Sequence, residues 1–469
     1  MHQHQAQPFI PPRPHIPADE LSWYGFLKAV RTNALQIWPQ RAYREGILVQ
    51  SFLGRTRFLL NTPAGIQRVL VENTANYRRT PASIRILRPV VGEGLILSEG
   101  EAWRHQRRTI APALAPRLLP VLARHVVSTA EAAMTRLAAG GEPVDLLAVL
   151  QLLTLEIAAR SMFSLEMQRY GAALRRLIAR FAVSLARPYL FDMLLPAKIL
   201  TLRDFARRRF RADWVALMEE IIAARLAAEA SESPRDLFDV LYAARDPQTG
   251  AAFSRAQLRD QMATLIVAGH ETTALALFWS MYLLASVPVE QERVLQEAHA
   301  VALTPESAAD ALAKLPYTRA VVSEALRLYP PAYLIARIAI GADAVGETEI
   351  PRGSLVMVAP WVLHRHAALW RHPDAFEPSR FLGDEQPAPR LAYLPFGAGP
   401  RVCVGAQFAL SEATLVLAML IRRFQVSLAD TRPVLPVAVI TTQPDHPAPF
   451  RLRERDKIPP RSGFAPQSK

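Results

Sequence analysis

A chain of 469 residues that is 51% hydrophobic and only 21% charged has the apolar material for a large buried core, which excludes a disordered protein. Lysine and arginine exceed aspartate and glutamate by 55 to 42, a net charge of +13 that favours acidic partners: nucleic acid, anionic lipid or an acidic electron-transfer protein. The single cysteine, Cys403, excludes an internal disulfide and any multi-cysteine zinc or iron–sulfur site, and it fits a reducing compartment.

The N-terminus, MHQHQAQPFIPPRPHIP, is polar and proline-rich, with no apolar leader and no spanning helix. Later apolar stretches such as 413–421 read as too short to cross a bilayer, so no membrane anchor is expected. The 38 prolines are scattered, and no repeat or linker divides the chain. Strands are expected within 46–62, and Thr62-Pro63 then opens a helix as N-cap and first helical residue. Residues 74–97 read as irregular. Ser98 and Glu101 form a candidate capping box for a helix carrying Trp103 and Arg107, four apart and therefore on one face. An indole N–H and a guanidinium so placed can both donate to one carboxylate.

Helical periodicity runs through 119–137, 145–163, 167–186 and 201–230. The basic run Arg207–Arg209 with Arg211 lies in the last of these and reads as a solvated face; no nucleic-acid reading motif accompanies it. The break at 188–196, PYLFDMLLP, is apolar for a loop.

The longest helix is expected from Ser254 to Ser286, with a Ser254/Gln257 capping box and Pro288 beyond its end. Its middle is apolar all round, as in a buried central helix, except for Ala268-Gly269-His270-Glu271-Thr272-Thr273. Glycine, an acid and two hydroxyls conflict with that environment, and such conflicts tend to mark function. A threonine bonding back to the carbonyl of Ala268 can bend the helix and open a groove.

A helix over 317–328 follows, with Glu324 and Arg327 three apart, and then strands over 336–341 and 355–360 joined through a turn at 351–354. His364, His366 and His372 match no zinc-ligand spacing. Phe396 to Gly405 reads FGAGPRVCVG. Cys403 can be a nucleophile, an inert core residue, or the one protein ligand of a metal held mostly by something else. Its flanks favour the third: Gly397, Gly399 and Gly405 permit tight turns and close approach to a flat ligand, Pro400 stiffens the loop, and Arg401 suits a carboxylate. A helix over 406–423 and strands QVSLA and AVITT complete the chain, with a proline-rich loop at 443–449.

Phe396, Gly399, Arg401, Cys403 and Gly405 match F-x-x-G-x-R-x-C-x-G, and on them the chain resembles the cytochrome P450 family of haem-thiolate monooxygenases. The resemblance extends to Trp103/Arg107 as W-x-x-x-R, to 268–273 as A/G-G-x-D/E-T-T/S, to Glu324/Arg327 as E-x-x-R, and to Phe376–Phe381 as F-x-P-x-R-F. It implies a mainly α fold with a small β region, in one domain over 40–455 between a polar segment 1–39 and a tail 456–469. It implies haem b, with Cys403 as axial iron ligand and Arg401, Trp103, Arg107 and Arg337 toward the propionates. Ala268 and Gly269 would form the dioxygen groove, and Glu271 and Thr272 would relay protons. Glu324, Arg327 and Arg380 would clamp the proximal scaffold.

By the same resemblance, 188–196 is a lid and 443–449 points into the distal pocket. The pocket walls would come from 80–97, 181–195, 267–272, 333–336 and 443–448, and their apolar residues imply a hydrophobic small molecule. The expected reaction inserts one atom of O2 into a C–H or C=C bond. Electrons would come from a separate ferredoxin or flavodoxin-type donor, docked on proximal arginines such as Arg422 and Arg423. A monomer in the cytoplasm without nucleic acid is expected. Peroxide-driven oxygenation and non-catalytic haem carriage are the alternatives.

Overall fold

The computed structural model describes residues 8–455, apart from 53, 115–117, 139–142, 165–166, 190, 193–194, 196–198, 228–233 and 384–386. The expected tail 456–469 and part of the expected lid therefore lie outside the described residues.

The central helix, Arg255–Ser286, forms where the sequence places it, and its Ser254/Gln257 capping box is complete. It packs most extensively against Leu146–Phe163, and Leu275, Leu277, Phe278, Trp279 and Met281 along it are wholly buried. Both helices are long and apolar enough to cross a bilayer, contrary to the expectation that no apolar stretch is. Their apolar surface is instead mostly covered by the rest of the fold. That burial removes from water the area that drives folding, at roughly 25 cal/mol per Å2.

A five-stranded sheet flanks the helices, in the order Ile47–Phe52, Arg55–Leu60, Leu355–Val358, Ile335–Ala339, Tyr77–Arg79. Only the pairing of Arg55–Leu60 with Leu355–Val358 is parallel. Its last strand and the helix Pro81–Val91 fall inside 74–97, which the sequence suggested was irregular. Thr80 caps that helix through the Ser83 N–H, and Pro81 opens it, repeating the Thr62-Pro63 signature.

Three other expectations change. The Ser98/Glu101 box does not form, because the helix Gly100–Ile110 starts after Glu99. The Ser98 hydroxyl turns to Gln106, and Glu101 pairs with Arg104 and Arg108. AVITT is not one strand. It bends into a hairpin of Pro436–Ala438 and Thr442–Pro444, and a further strand, Pro449–Glu454, pairs with Phe424–Leu428. Arg207 is not on a solvated face but buried against Asp192 and Asp204, at 2.7 and 3.3 Å, and Arg211 pairs with Asp260. The segment before residue 40 also joins the core: it carries the helix Trp23–Thr32, and Leu35 and Trp38 are buried.

The expected clamp is present. Arg327 and Glu324 are fully buried, joined at 2.6 and 2.8 Å, and Arg380 Nε reaches Glu324 Oε1 at 3.2 Å. His364 accepts the Leu394 N–H through Nε2, and its Nδ1 lies 3.1 Å from the Arg327 carbonyl. Burial, reinforced by the Arg327 charge, pushes its pKa down to about 3, so it is a neutral structural imidazole. Among the described residues no cluster suited to a metal ion forms from His, Cys, Asp and Glu.

Glu412, on the helix Ala406–Arg423, is buried and its Oε1 has no hydrogen-bond partner among the described residues. Burial raises its carboxyl to about 8. The folded state thus keeps a proton that the unfolded chain releases above the usual carboxylate range. Stability from this group is full below pH 4.5 and falls as pH rises toward 8, by at most about 1.4 kcal/mol per unit. Glu412→Gln is expected to flatten that slope, with its largest gain over the parent near pH 8, as read from urea midpoints across the range.

Candidate functional site

The loop from Phe396 to Gly405 is held by its backbone, with the Cys403 N–H donating to the Phe396 carbonyl at 2.9 Å. Gly397 and Gly399 take φ of +74° and +68°, which side-chain-bearing residues rarely adopt. At Gly399 a Cβ would also stand 1.9 Å from the Leu70 carbonyl oxygen. Gly399→Ala is therefore expected to lose about 2–4 kcal/mol in chemical denaturation, through backbone strain and overpacking together. Gly405 differs: its φ is −93° and an added Cβ would meet no protein atom within 4 Å, so no turn requires it.

Cys403 is accessible because it opens onto a cavity of about 680 Å3. Desolvation pushes its thiol pKa up, opposed by the Gly405 N–H and the Arg107 charge. Thr272, Thr273 and Ala276 of the central helix line the same cavity. The Thr272 hydroxyl donates to the Ala268 carbonyl at 2.6 Å, the back-bond anticipated from the sequence. Ala268 and Gly269 lie one turn earlier and are half-buried, as are Val267, Glu271 and Thr272 beside them. Glu271 turns aside to accept hydrogen bonds from Thr441 and Gln443. His270 is buried with Nδ1 at 3.2 Å from the Ile266 carbonyl, and has no place on the cavity wall.

Four arginines line the cavity: Arg57, Arg79, Arg337 and Arg401. Arg79 and Arg337 are directly opposite across antiparallel strands, an arrangement that like charges disfavour. Burial, then repulsion from Arg337 and Arg401, pushes Arg79 down to about 9, while burial and the Arg401 charge push Arg337 to about 10. Glu99 offers partial compensation, accepting the Arg79 backbone N–H at 3.0 Å. The buried Arg79 Nε has no partner among the described residues. The Arg401 guanidinium covers the Trp103 ring at 4.5 Å and donates to the Ser98 carbonyl, while Arg107 donates to the carbonyl of Val402 beside the cysteine. Arg79 was missed in the sequence because its strand was read as irregular.

The walls agree with expectation at 80–83, Ile86, Leu87, Ile96, Pro188, Thr272 and 333–336, whereas of the expected 267–272 only Thr272 lines the cavity. They differ at the C-terminal loop. Val439 and Ile440, at the bend of the hairpin, reach the cavity instead of 443–449. The bend displaces the whole segment, so the residues entering the cavity come earlier.

A family profile described as Cytochrome P450 matches residues 17–446. The chain belongs to the cytochrome P450 family. It is 33% identical over 385 residues to cyclooctatin synthase of Streptomyces melanosporofaciens, covering 81% of this chain and 83% of that protein. It is 30% identical over 386 residues to cyclooctat-9-en-7-ol 5-monooxygenase of the same organism, covering 81% and 82%. The solved haem domain of cytochrome P450DA superposes with a TM-score of 0.80 at 25% identity, over 94% of this chain and 98% of that one. The fold is thus the mainly α P450 fold with small sheets, and the protein is a P450 monooxygenase that uses haem, dioxygen, a substrate and a redox partner. Its donor set fits haem: one thiol opens onto the cavity and four arginines line it, among them Arg79, whose Nε has no partner among the described residues.

Proposed function

We propose that this P450 hydroxylates or epoxidises a hydrophobic, lipid-like small molecule such as a terpenoid or fatty acid, using electrons from a separate ferredoxin or flavodoxin. The observation that carries this reading is the Cys403 thiol and the Thr272 hydroxyl on the walls of one cavity whose remaining lining is largely apolar. Cys403 would ligate the iron of haem b, and Arg79, Arg337 and Arg401 would hold the propionates, with Trp103 and Arg107 supporting them. Bound haem supplies dioxygen activation, with a thiolate favouring O–O cleavage. Ala268 and Gly269 leave room on the central helix for dioxygen. Thr272 and Glu271 carry protons to it, and the apolar walls exclude bulk water.

The net charge of +13 supports docking of an acidic donor. Arg422 and Arg423 are less available than expected, since they bond to the Val301 carbonyl and to Glu454. Weakening of reduction with added salt is therefore the better check on electrostatic docking. We further take the protein to act as a cytoplasmic monomer, with 40–455 as the catalytic domain and 8–39 packed onto it. The reading is tested by titrating terpenoids and fatty acids into the ferric protein while following the Soret band. A compound that shifts the band and is then oxygenated with reductant and partner supports it; oxygenation only with peroxide would replace it.

A further inference from the structure

Glu271 is not free to face the cavity. Its Oε1 accepts from Thr441 Oγ1 at 2.9 Å and from Gln443 Nε2 at 2.6 Å, and Gln443 Nε2 also donates to Thr441 Oγ1 at 3.2 Å, closing a triangle. Thr442, between the two donors, faces the opposite way and anchors the strand. Its hydroxyl donates to the Pro330 carbonyl at 2.7 Å, and its carbonyl accepts from Trp279 Nε1 at 3.0 Å. Trp279 lies two turns beyond Glu271 on the central helix and stacks on Tyr329 at 4.0 Å. One helix therefore grips the hairpin at two points, and the bend between the strands puts Val439 and Ile440 into the cavity. The Tyr333 hydroxyl fixes that bend by donating to the Val439 carbonyl at 3.0 Å.

We propose that Thr441 and Gln443 are positioning residues for Glu271, so that the hairpin touching the substrate chamber also sets the aim of the carboxylate. This rests on the reading of Glu271 and Thr272 as proton carriers. A carboxylate held by two donors on Oε1 samples few orientations, and its Oε2, which takes no part in those two bonds, is left to exchange a proton. Pressure on Val439 or Ile440 from a seated molecule bears on the strand that holds it. Dioxygen leaves as peroxide after taking two electrons and two protons, and as two waters after four of each. A misplaced carboxylate is therefore read as a larger share of peroxide.

The test uses the haem-loaded full chain, with a ferredoxin and its reductase supplying electrons and no organic substrate added. Gln443→Met and, separately, Thr441→Val are expected to slow dioxygen reduction about 5- to 10-fold, the size of one ordinary net hydrogen bond. Both should raise the peroxide share and the solvent isotope effect. In a Glu271→Gln background, the same substitutions should add less than about 2-fold. Full additivity there, or an unchanged isotope effect, overturns the proposal. If Glu271→Gln alone changes nothing, the proton-carrier reading fails instead. On the resting enzyme, Glu271→Ala should speed amide exchange across 439–443 as read by mass spectrometry, and unchanged exchange counts against the tie.

Discussion

Arg327→Ala is expected to destabilise the fold by about 3–5 kcal/mol, among the largest losses that any single side chain here can cause. The guanidinium is fully buried and makes five hydrogen bonds. Two go to Glu324, at 2.6 and 2.8 Å, and three to the carbonyls of His364, Pro373 and Ala375, at 2.8, 2.6 and 2.8 Å. Truncation leaves the Glu324 carboxylate with only Arg380 and the Glu377 N–H, and strands three carbonyls without that donor. The fork matters as well as the charge. Arg327→Lys keeps the cation but cannot reach both Glu324 oxygens and the carbonyls together, so an intermediate loss is expected. Urea midpoints, with haem content of the purified protein, read both variants. Equal midpoints for Arg327→Ala and the parent would show that the clamp adds nothing to the fold.

What the sequence made legible divides along physical lines. Local chemistry was legible wherever a cap, a period or a spacing decides it. The Ser254/Gln257 box, the Thr272 back-bond and the Glu324/Arg327 fork all follow from residues within one helical turn. Tertiary choices were not. The Ser98 hydroxyl had Gln106 as a competing partner, and Arg207 had Asp192, and neither rival can be ranked without the fold. Arg79 became part of the site only because its strand pairs with the one carrying Arg337. Gln443 points at Glu271 only because the segment bends at 439–441. The helix at Pro81–Val91 is a different case, since Thr80-Pro81 carried the same start signal already used at Thr62-Pro63.

Cys403→Ser is expected to abolish oxygenation while leaving the fold within about 1 kcal/mol of the parent. The loop around position 403 does not depend on the sulfur. Its shape comes from the Cys403 N–H bond to Phe396, from the left-handed dihedrals of Gly397 and Gly399, and from the close approach of Gly399 to Leu70. A hydroxyl fits where the thiol opens onto the cavity, so neither a void nor a clash is created. The chemical difference lies in ionisation. A thiol beside the Gly405 N–H and the Arg107 charge can release its proton to solvent and bind a metal through sulfur, whereas a serine hydroxyl ionises far less readily in the same place. Reduced, carbon-monoxide-treated parent protein should therefore show the red-shifted absorption of thiolate ligation, and the serine variant should lack it at matched haem content. Oxygenation by the serine variant at the parent's rate would place the chemistry elsewhere in the cavity and would remove the basis for assigning Cys403 to the iron.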